Sequence, residues 1–463
     1  MPQEIRARRQ RGIACRVLLV AVVAAGLGCP PSMIVHAQSP AVHGYITAVR
    51  PPDGFDVNGE HVTTTAETRF GPIGTKNPVS NGPMRDAVQI GAWVQVFGEH
   101  DGKAKSVAAQ AVLFRDDWDR KLTGLGVINK VISTAPELVF AADGYRIRVT
   151  PATEIRYPKD MKPGAEVHAD LWVLYEGKLG QDGLLVASKV RFLPDKRAKE
   201  KSEKAPGDSS EPAANGDLAA KGNAQPQPPS NAYGETGVQV DDRRTEIKLY
   251  DTTYRVSKDQ ALQSRVRRIG MSLVPVYQKR LPADDSSKIQ FDFLAVDDLT
   301  HEVHTSPDSE GLILVPAQLA TRFKNDDQLA AVLAEGIAIS LQQQAPMVIE
   351  VNRATLAEAV GLTAVSLVPY AYLTESVGWQ VAHSKSDRAF MEQRGRVALQ
   401  LMADAGYDPW QAPEAWRLAA PGKLPADPST LKYPDRSGYQ FAILNLMYKK
   451  PAPSNASEGG STQ

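Results

Sequence analysis

Between Val42 and about Pro194 apolar and polar residues alternate in short runs, and glycine-bearing pairs interrupt them. A period of two places successive side chains on opposite faces of a strand. It predicts strands at Val42–Val49, Trp93–Glu99, Ala108–Phe114, Leu138–Phe140, Tyr145–Val149 and Glu166–Tyr175. Asn58-Gly59, Asp101-Gly102, Asp143-Gly144 and Asp182-Gly183 fall between such runs, and these pairs tolerate the positive φ of tight hairpins. From Asp259 the period lengthens. Leu262, Val266, Ile269 and Leu273 recur at helical spacing and predict a helix over Asp259–Val276. Strands follow at Ile289–Val296 and Gly311–Val315, and Pro316 leads into a helix over Ala317–Phe323. A longer helix is expected at 325–344, with Asn325 as N-cap and Asp326 and Asp327 at its positive end. Val351–Leu367, Ser386–Ala405 and Ser437–Tyr448 read as further helices, and Gly406-Tyr-Asp-Pro409 stops the second of them.

The alternating half repeats itself. Gly44–Val49 answers Gly126–Val131, and Glu67–Phe70 answers Thr153–Tyr157. Ile90-Gly91-Ala-Trp93-Val94 answers Pro163-Gly164-Ala-Glu166-Val167, and Val107–Phe114 answers Leu185–Phe192. Two copies of a small β-module follow, over 38–120 and 121–194, each expected to be a compact barrel of the OB-like kind. Such barrels present aromatics to ligands, and Trp93, Trp118, Trp172, Tyr157 and Tyr175 are available. Trp93 and Trp172 lie inside strand runs, where core packing is the favoured account. The pair of modules resembles the tandem β-domains of unknown function found in secreted bacterial proteins, which implies architecture and no chemistry.

A chain of 463 residues is too long for one ordinary core, so several domains are expected. Its net charge of zero, with no basic stripe, gives no reason to expect nucleic acid as a partner. Both cysteines, Cys15 and Cys29, lie near the N-terminus. There Arg6, Arg8, Arg9, Arg11 and Arg16 precede the apolar run Val17–Leu27, and Val35-His36-Ala37 offers a cleavage site before Gln38. This is the pattern of a signal peptide over 1–37. Export to the periplasm or beyond is expected, with a thiol-free mature chain. Lipid anchoring at Cys29 is the competing account, but Gly26 stands where a lipobox carries an aliphatic residue. Residues 195–236, rich in Pro, Gly, Ser, Asn and charge, read as a disordered linker, and 451–463 as a similar tail.

Gln328-Leu-Ala-Ala-Val-Leu-Ala334 resembles the lead-in to the zinc helix of HtpX-like and BepA-like metallopeptidases, gluzincins of peptidase family M-forty-eight. Leu401–Pro409 resembles the end of that family's later helix, Ala-Gly-Tyr-Asp-Pro. The shared order of helix, strand, edge strand, zinc helix and later helix spans most of 255–450. The resemblance implies a metallopeptidase-like domain over 237–450. The expected fold class is therefore α+β multidomain, two small all-β modules followed by a mostly helical metallopeptidase-like domain.

Such an enzyme needs two imidazoles four residues apart on one helix face, a glutamate base between them and a third ligand from another helix. At those places stand Glu335, Gly336 and Ile339, with Met391 at the third ligand and Gly395 at the ordering aspartate. A slip of one residue would use Glu392 and still supply only one carboxylate. Tyr433-Pro434 stands where the family tends to have His-Pro, and the edge-strand loop carries Glu302, His304, Asp308 and Ser309 in place of the family's residues. Ile339 extends the apolar stripe of Val332, and Glu335 reads as a solvated helix carboxylate. A substitute site from Glu335, Glu392 and His383, or from His301 and His304, is disfavoured. His301-Glu-Val-His304 is one residue short of the motif and sits on a strand or loop. Val360–Leu373, interrupted by Pro369, is too short to span a bilayer and leaves at most a weak membrane contact.

No catalytic residue, metal or cofactor is expected. The leading expectation is a secreted pseudopeptidase, a binding or scaffold module of the cell envelope whose cleft holds an extended polypeptide or envelope protein. The alternatives are an active zinc endopeptidase with a non-standard metal site, or envelope or glycan binding by the β-modules.

Overall fold

In the computed structural model the alternating runs close into barrels. It describes residues 39–193, 244–298, 304–305, 311–343, 379–420 and 433–448, except 51, 53, 76–77, 81–82, 119, 160, 162–165, 250–251 and 286. The first barrel is built from β1 (Val42–Arg50), β2 (Gly54–Val57), β3 (Glu60–Thr63), β4 (Arg69–Pro72), β5 (Val79–Ser80), β6 (Trp93–Asp101) and β7 (Ser106–Phe114). Antiparallel pairs link β3 to β2, β2 to β1, β1 to β6 and β6 to β7, and a parallel β3–β7 pairing closes the ring. β4 adds to β7 in parallel.

The second barrel repeats this plan with β8 (Lys121–Ser133), β9 (Leu138–Ala142), β10 (Tyr145–Val149), β11 (Glu154–Arg156), β12 (Trp172–Leu179) and β13 (Leu185–Phe192). Its ring runs β8-β9-β10-β13-β12 and is closed by the parallel β10–β13 pairing. β11 lies parallel on β13. Detail repeats as well. β6 and β12 each shift register at a glycine, Gly98 and Gly177, where a Cβ would come 2.0 Å and 2.3 Å from a carbonyl oxygen of the facing strand. Thr68 and Thr153 donate their hydroxyls to Ala109 and Ala187 carbonyls at 2.8 and 2.7 Å, pinning the turns before β4 and β11.

The register corrects one match drawn from sequence. β12 begins at Trp172 and not at Glu166, and Trp172 faces Val127 as Trp93 faces Tyr45. Trp93 therefore corresponds to Trp172, and Gly91 (φ 93°) to Asp170 (φ 82°), not to Gly164. Gly91 N donates to Ile46 O and Asp170 N to Ile128 O. What is repeated is the left-handed backbone, which aspartate tolerates, and not the residue type.

Beyond residue 244, the hairpin β14 (Glu246–Leu249) and β15 (Thr252–Arg255) leads to helix α1 (Gln260–Leu273). A three-stranded sheet follows, ordered β16 (Asp292–Val296), β18 (Leu312–Pro316), β17 (His304–Thr305). Asp259 caps α1 by accepting from Leu262 N at 3.0 Å, and Leu262, Val266, Ile269 and Leu273 form its buried face. α1 stops short of Val276 because Pro275 cannot continue the ladder and instead opens the short helix Val276–Arg280. The helix after Pro316 likewise covers only Ala317–Ala320.

Helix α2 (Asp326–Gln343) starts as its sequence requires. Asn325 Oδ1 accepts from Gln328 N, and Gln328 Oε1 accepts from Lys324 N, both at 2.9 Å. Burial works to raise the Asp326 carboxyl, but hydrogen bonds from Arg268 and Arg265 on α1 outweigh it and hold it below the usual carboxylate range. Helix α3 (Trp379–Asp404) ends at Gly406 in a left-handed conformation, with Tyr407 N donating to Met402 O at 2.9 Å. The stop also ties helices together. The Tyr407 hydroxyl lies 2.8 Å from Ser272 Oγ, and Asp408 N donates to Asp327 Oδ1 at 3.0 Å. Helices α4 (Ala412–Ala419) and α5 (Asp435–Met447) complete the described part.

One apolar interior runs from the second barrel into the helices, through Phe140, Trp172, Val266, Phe293, Leu333, Val397, Trp416 and Ile443. The first barrel has its own core around Ile46, Phe55, Phe70 and Val112. The described residues from Pro40 onward form one compact unit. The expected signal segment 1–37, linker 195–236, helix Val351–Leu367 and tail 451–463, the apolar run Val360–Leu373 and residues His301, Glu302, Asp308 and Ser309 lie outside the described residues. So do the side chains of His304 and His383. No helix among the described residues is long and apolar enough to cross a membrane.

Candidate functional site

Glu335, which the peptidase resemblance would set at a first zinc-binding histidine, is not a solvated helix carboxylate. Its side chain is only 6% exposed, and Arg394 of α3 brings Nε to 2.8 Å from Oε1. That is ion-pair distance, although the geometry is off the line of a well-directed hydrogen bond. Arg436, at the start of α5, adds Nη1 at 3.5 Å and lays its guanidinium over the Trp416 ring at 4.1 Å. Three helices thus meet at one carboxylate held by two cations. The sequence reading erred because the partners lie 59 and 101 positions further on.

The remaining positions turn elsewhere. Gly336, which the resemblance would set at the base, packs on the sheet: a Cβ there would lie 3.0 Å from Ile313 Cγ2 of β18. Ile339 and Met391 are half-buried, and Gly395 faces α5, with Tyr439 Cδ1 at 3.9 Å from where a Cβ would stand. Glu392 is approached by the Tyr45 hydroxyl of the first barrel at 3.5 Å, whereas Glu335 engages Arg394 and Arg436. The two carboxylates thus engage different partners. His304 lies on β17, paired with Leu314.

Zinc asks for neutral imidazoles, thiolates or several carboxylates converging on one point. Here glycine and isoleucine supply no donor, methionine offers only a thioether, and the one carboxylate already faces two guanidinium groups. The set does not fit the ion. Replacing Glu335 by alanine leaves Arg394 and Arg436 without their shared counter-charge. The expected cost is about 1–3 kcal/mol in urea unfolding, moderated by the partial exposure of both arginines.

The strongest polar constellation is one that sequence reasoning missed. Asp143, read only as half of a hairpin turn, is fully buried beneath α3. Arg396 donates Nε to the Asp143 carbonyl at 2.7 Å and Nη2 to Oδ2 at 2.8 Å, while Nη1 reaches the Tyr439 hydroxyl at 2.7 Å. Gln393 donates to Asp143 Oδ1 at 2.8 Å and to the Leu125 carbonyl at 3.1 Å, and Tyr175 donates its hydroxyl to Oδ2 at 2.5 Å. The guanidinium also sits 4.4 Å from the Tyr145 ring centroid. Burial pushes the Tyr175 and Tyr439 phenols well above their ordinary range, which keeps both hydroxyls protonated. Burial disfavours the Arg396 charge, but Asp143 together with Tyr145, Tyr439 and Tyr175 more than offsets that. A signal was present: Gln393, Arg396 and Gln400 recur at helical spacing, a buried polar stripe through α3.

The aromatics divide. Trp172 and Tyr175 are core, and Tyr157 stacks on Phe192 at 5.5 Å. Trp93 is half-buried, and Trp118 is exposed.

Residues 43–112 match the family described as a domain of unknown function, DUF5666. The match runs from β1 nearly to the end of β7 and so covers the first barrel. Curated proteins and solved structures give no match to the chain.

Proposed function

We propose that the protein is an exported, non-catalytic binding or scaffold protein of the cell envelope, with OB-like barrels joined to a metallopeptidase-like frame that has lost its chemistry. The observation that carries this reading is the Glu335–Arg394–Arg436 cluster, which puts two cations where a catalytic metal would need ligands. The ring order of each barrel agrees with an OB-like plan, its third and fifth ring strands running parallel. The succession of α1, β16, β18, α2 and α3, ending at Gly406-Tyr-Asp-Pro409, agrees with the peptidase resemblance. An extended polypeptide or envelope protein is the proposed occupant of the frame's cleft, held without being cut.

Casein digestion by the purified mature chain tests this, with and without chelator. No cleavage above background is expected under either condition. Chelator-sensitive proteolysis would establish the competing endopeptidase reading.

A further inference from the structure

The barrels have diverged in what surrounds their equivalent walls. In the second barrel Trp172 is 5% exposed, and Leu193, just beyond β13, is buried beside it. In the first, the same wall opens into a cleft of about 350 Å³ between the ends of β6 and β7 and helix α5. That volume lies in the range of small-ligand sites. Its lining is apolar at Pro72, Phe114, Ala442 and Leu446 and also carries Trp93, Trp118, Asp116, Gln89 and Asn445.

The wall is rigid. Arg115 lies over the Trp93 ring at 4.9 Å, ion-paired to Asp117 and donating to the Tyr45 hydroxyl at 3.2 Å. Trp118 stands out from a turn closed by its own N–H on Asp116 Oδ1 at 2.9 Å and keeps 38% of its surface exposed. Backbone groups around the cleft are already paired: Ile73 N with Phe114 O, Arg115 N with Trp93 O, and Gly91 N with Ile46 O. A peptide strand would therefore find little main chain to pair with. Recognition falls to planar side chains, an indole flanked by a carboxylate and two amides. With Arg115 balanced by Asp117, Asp116 leaves the cleft weakly acidic and ill suited to an anionic ligand.

A flat aromatic face in a cleft that also carries hydrogen-bonding side chains complements a pyranose ring, which offers C–H faces and hydroxyls. We propose that this cleft is a binding site for neutral oligosaccharides, with Trp118 as stacking platform and Asp116, Gln89 and Asn445 as hydroxyl partners. The inference stands apart from the fate of the zinc-helix positions.

Tryptophan fluorescence of the mature chain, titrated with chitotetraose and with cellotetraose, tests it. Saturable binding of at least one sugar is expected, with Kd between about 10 μM and 1 mM. Trp118→Ala should weaken it at least about tenfold, and Asp116→Asn several-fold, with Tm unchanged. The absence of saturation by either sugar up to about 10 mM would overturn the proposal. So would binding that both variants leave intact, or a proline-rich peptide that saturates the cleft when neither sugar does.

Discussion

Arg396→Ala is expected to cost about 3–5 kcal/mol of unfolding free energy, because it strips the partner from a carboxylate with no solvent exposure. Asp143 would keep Gln393 and Tyr175 as donors but lose its counter-charge, and Tyr439 would lose its partner in the same step. Urea unfolding read by tryptophan fluorescence gives the number. Arg148→Ala is the control: Arg148 pairs with Asp182, but the two side chains are 29% and 46% exposed, and the cost should stay under about 1 kcal/mol. If Arg396→Ala cost no more than this control, the network would not be what joins the second barrel to α3. In the double variant Arg396→Met with Asp143→Asn the two costs should not add, with a coupling of about 1–3 kcal/mol.

The second large effect comes from paired glycines. Gly144 and Gly59 occupy equivalent hairpins with φ of 75° and 79°. A Cβ on Gly59 meets nothing within 4 Å, so Gly59→Ala should cost only the left-handed penalty, about 1–2 kcal/mol. At Gly144 the same atom would stand 2.6 Å from the Arg396 carbonyl carbon in the α3 backbone. Backbone cannot swing aside as a long side chain can, so α3 must shift and the Asp143 contacts stretch. Gly144→Ala should therefore exceed Gly59→Ala by about 2 kcal/mol or more in the same urea assay. Equal costs would mean that α3 does not rest on this turn.

These substitutions also mark what the chain makes legible. The hairpins could be read because Asn-Gly and Asp-Gly carry their backbone preference with them. Asn325 and Gly406 likewise act on groups within a few residues. Patterns of period two gave strands in the right places where the strand packs on its own barrel, as at Tyr145–Val149. They overran at Glu166 because the left-handed turn at Asp170 comes before the strand, which starts at Trp172; the separate match of Gly91 to Gly164 failed because aspartate can adopt the glycine's conformation. The roles of Asp143 and Glu335 were hidden for another reason. Their partners are contributed by α3 and α5, hundreds of residues away for Asp143, and no local pattern encodes which barrel a helix will rest on.

The duplication gives the architecture its economy of parts. One copy uses its hairpin to seat a helix through Asp143-Gly144, and its central tryptophan is sealed in the core. The other keeps Asn58-Gly59 free of such packing and leaves Trp93 beside an open cleft. The helices contribute to both arrangements: α3 through Arg396 and Gln393, and α5 through Tyr439 on one side and Asn445 on the other. The helical part thus has a structural role toward the barrels.

Calorimetric titration of zinc into the chelator-treated protein tests the absence of a working metal centre most directly. The Glu335–Arg394–Arg436 cluster predicts no site tighter than about 10 μM. A stoichiometric nanomolar site that Glu335→Gln abolishes would contradict it.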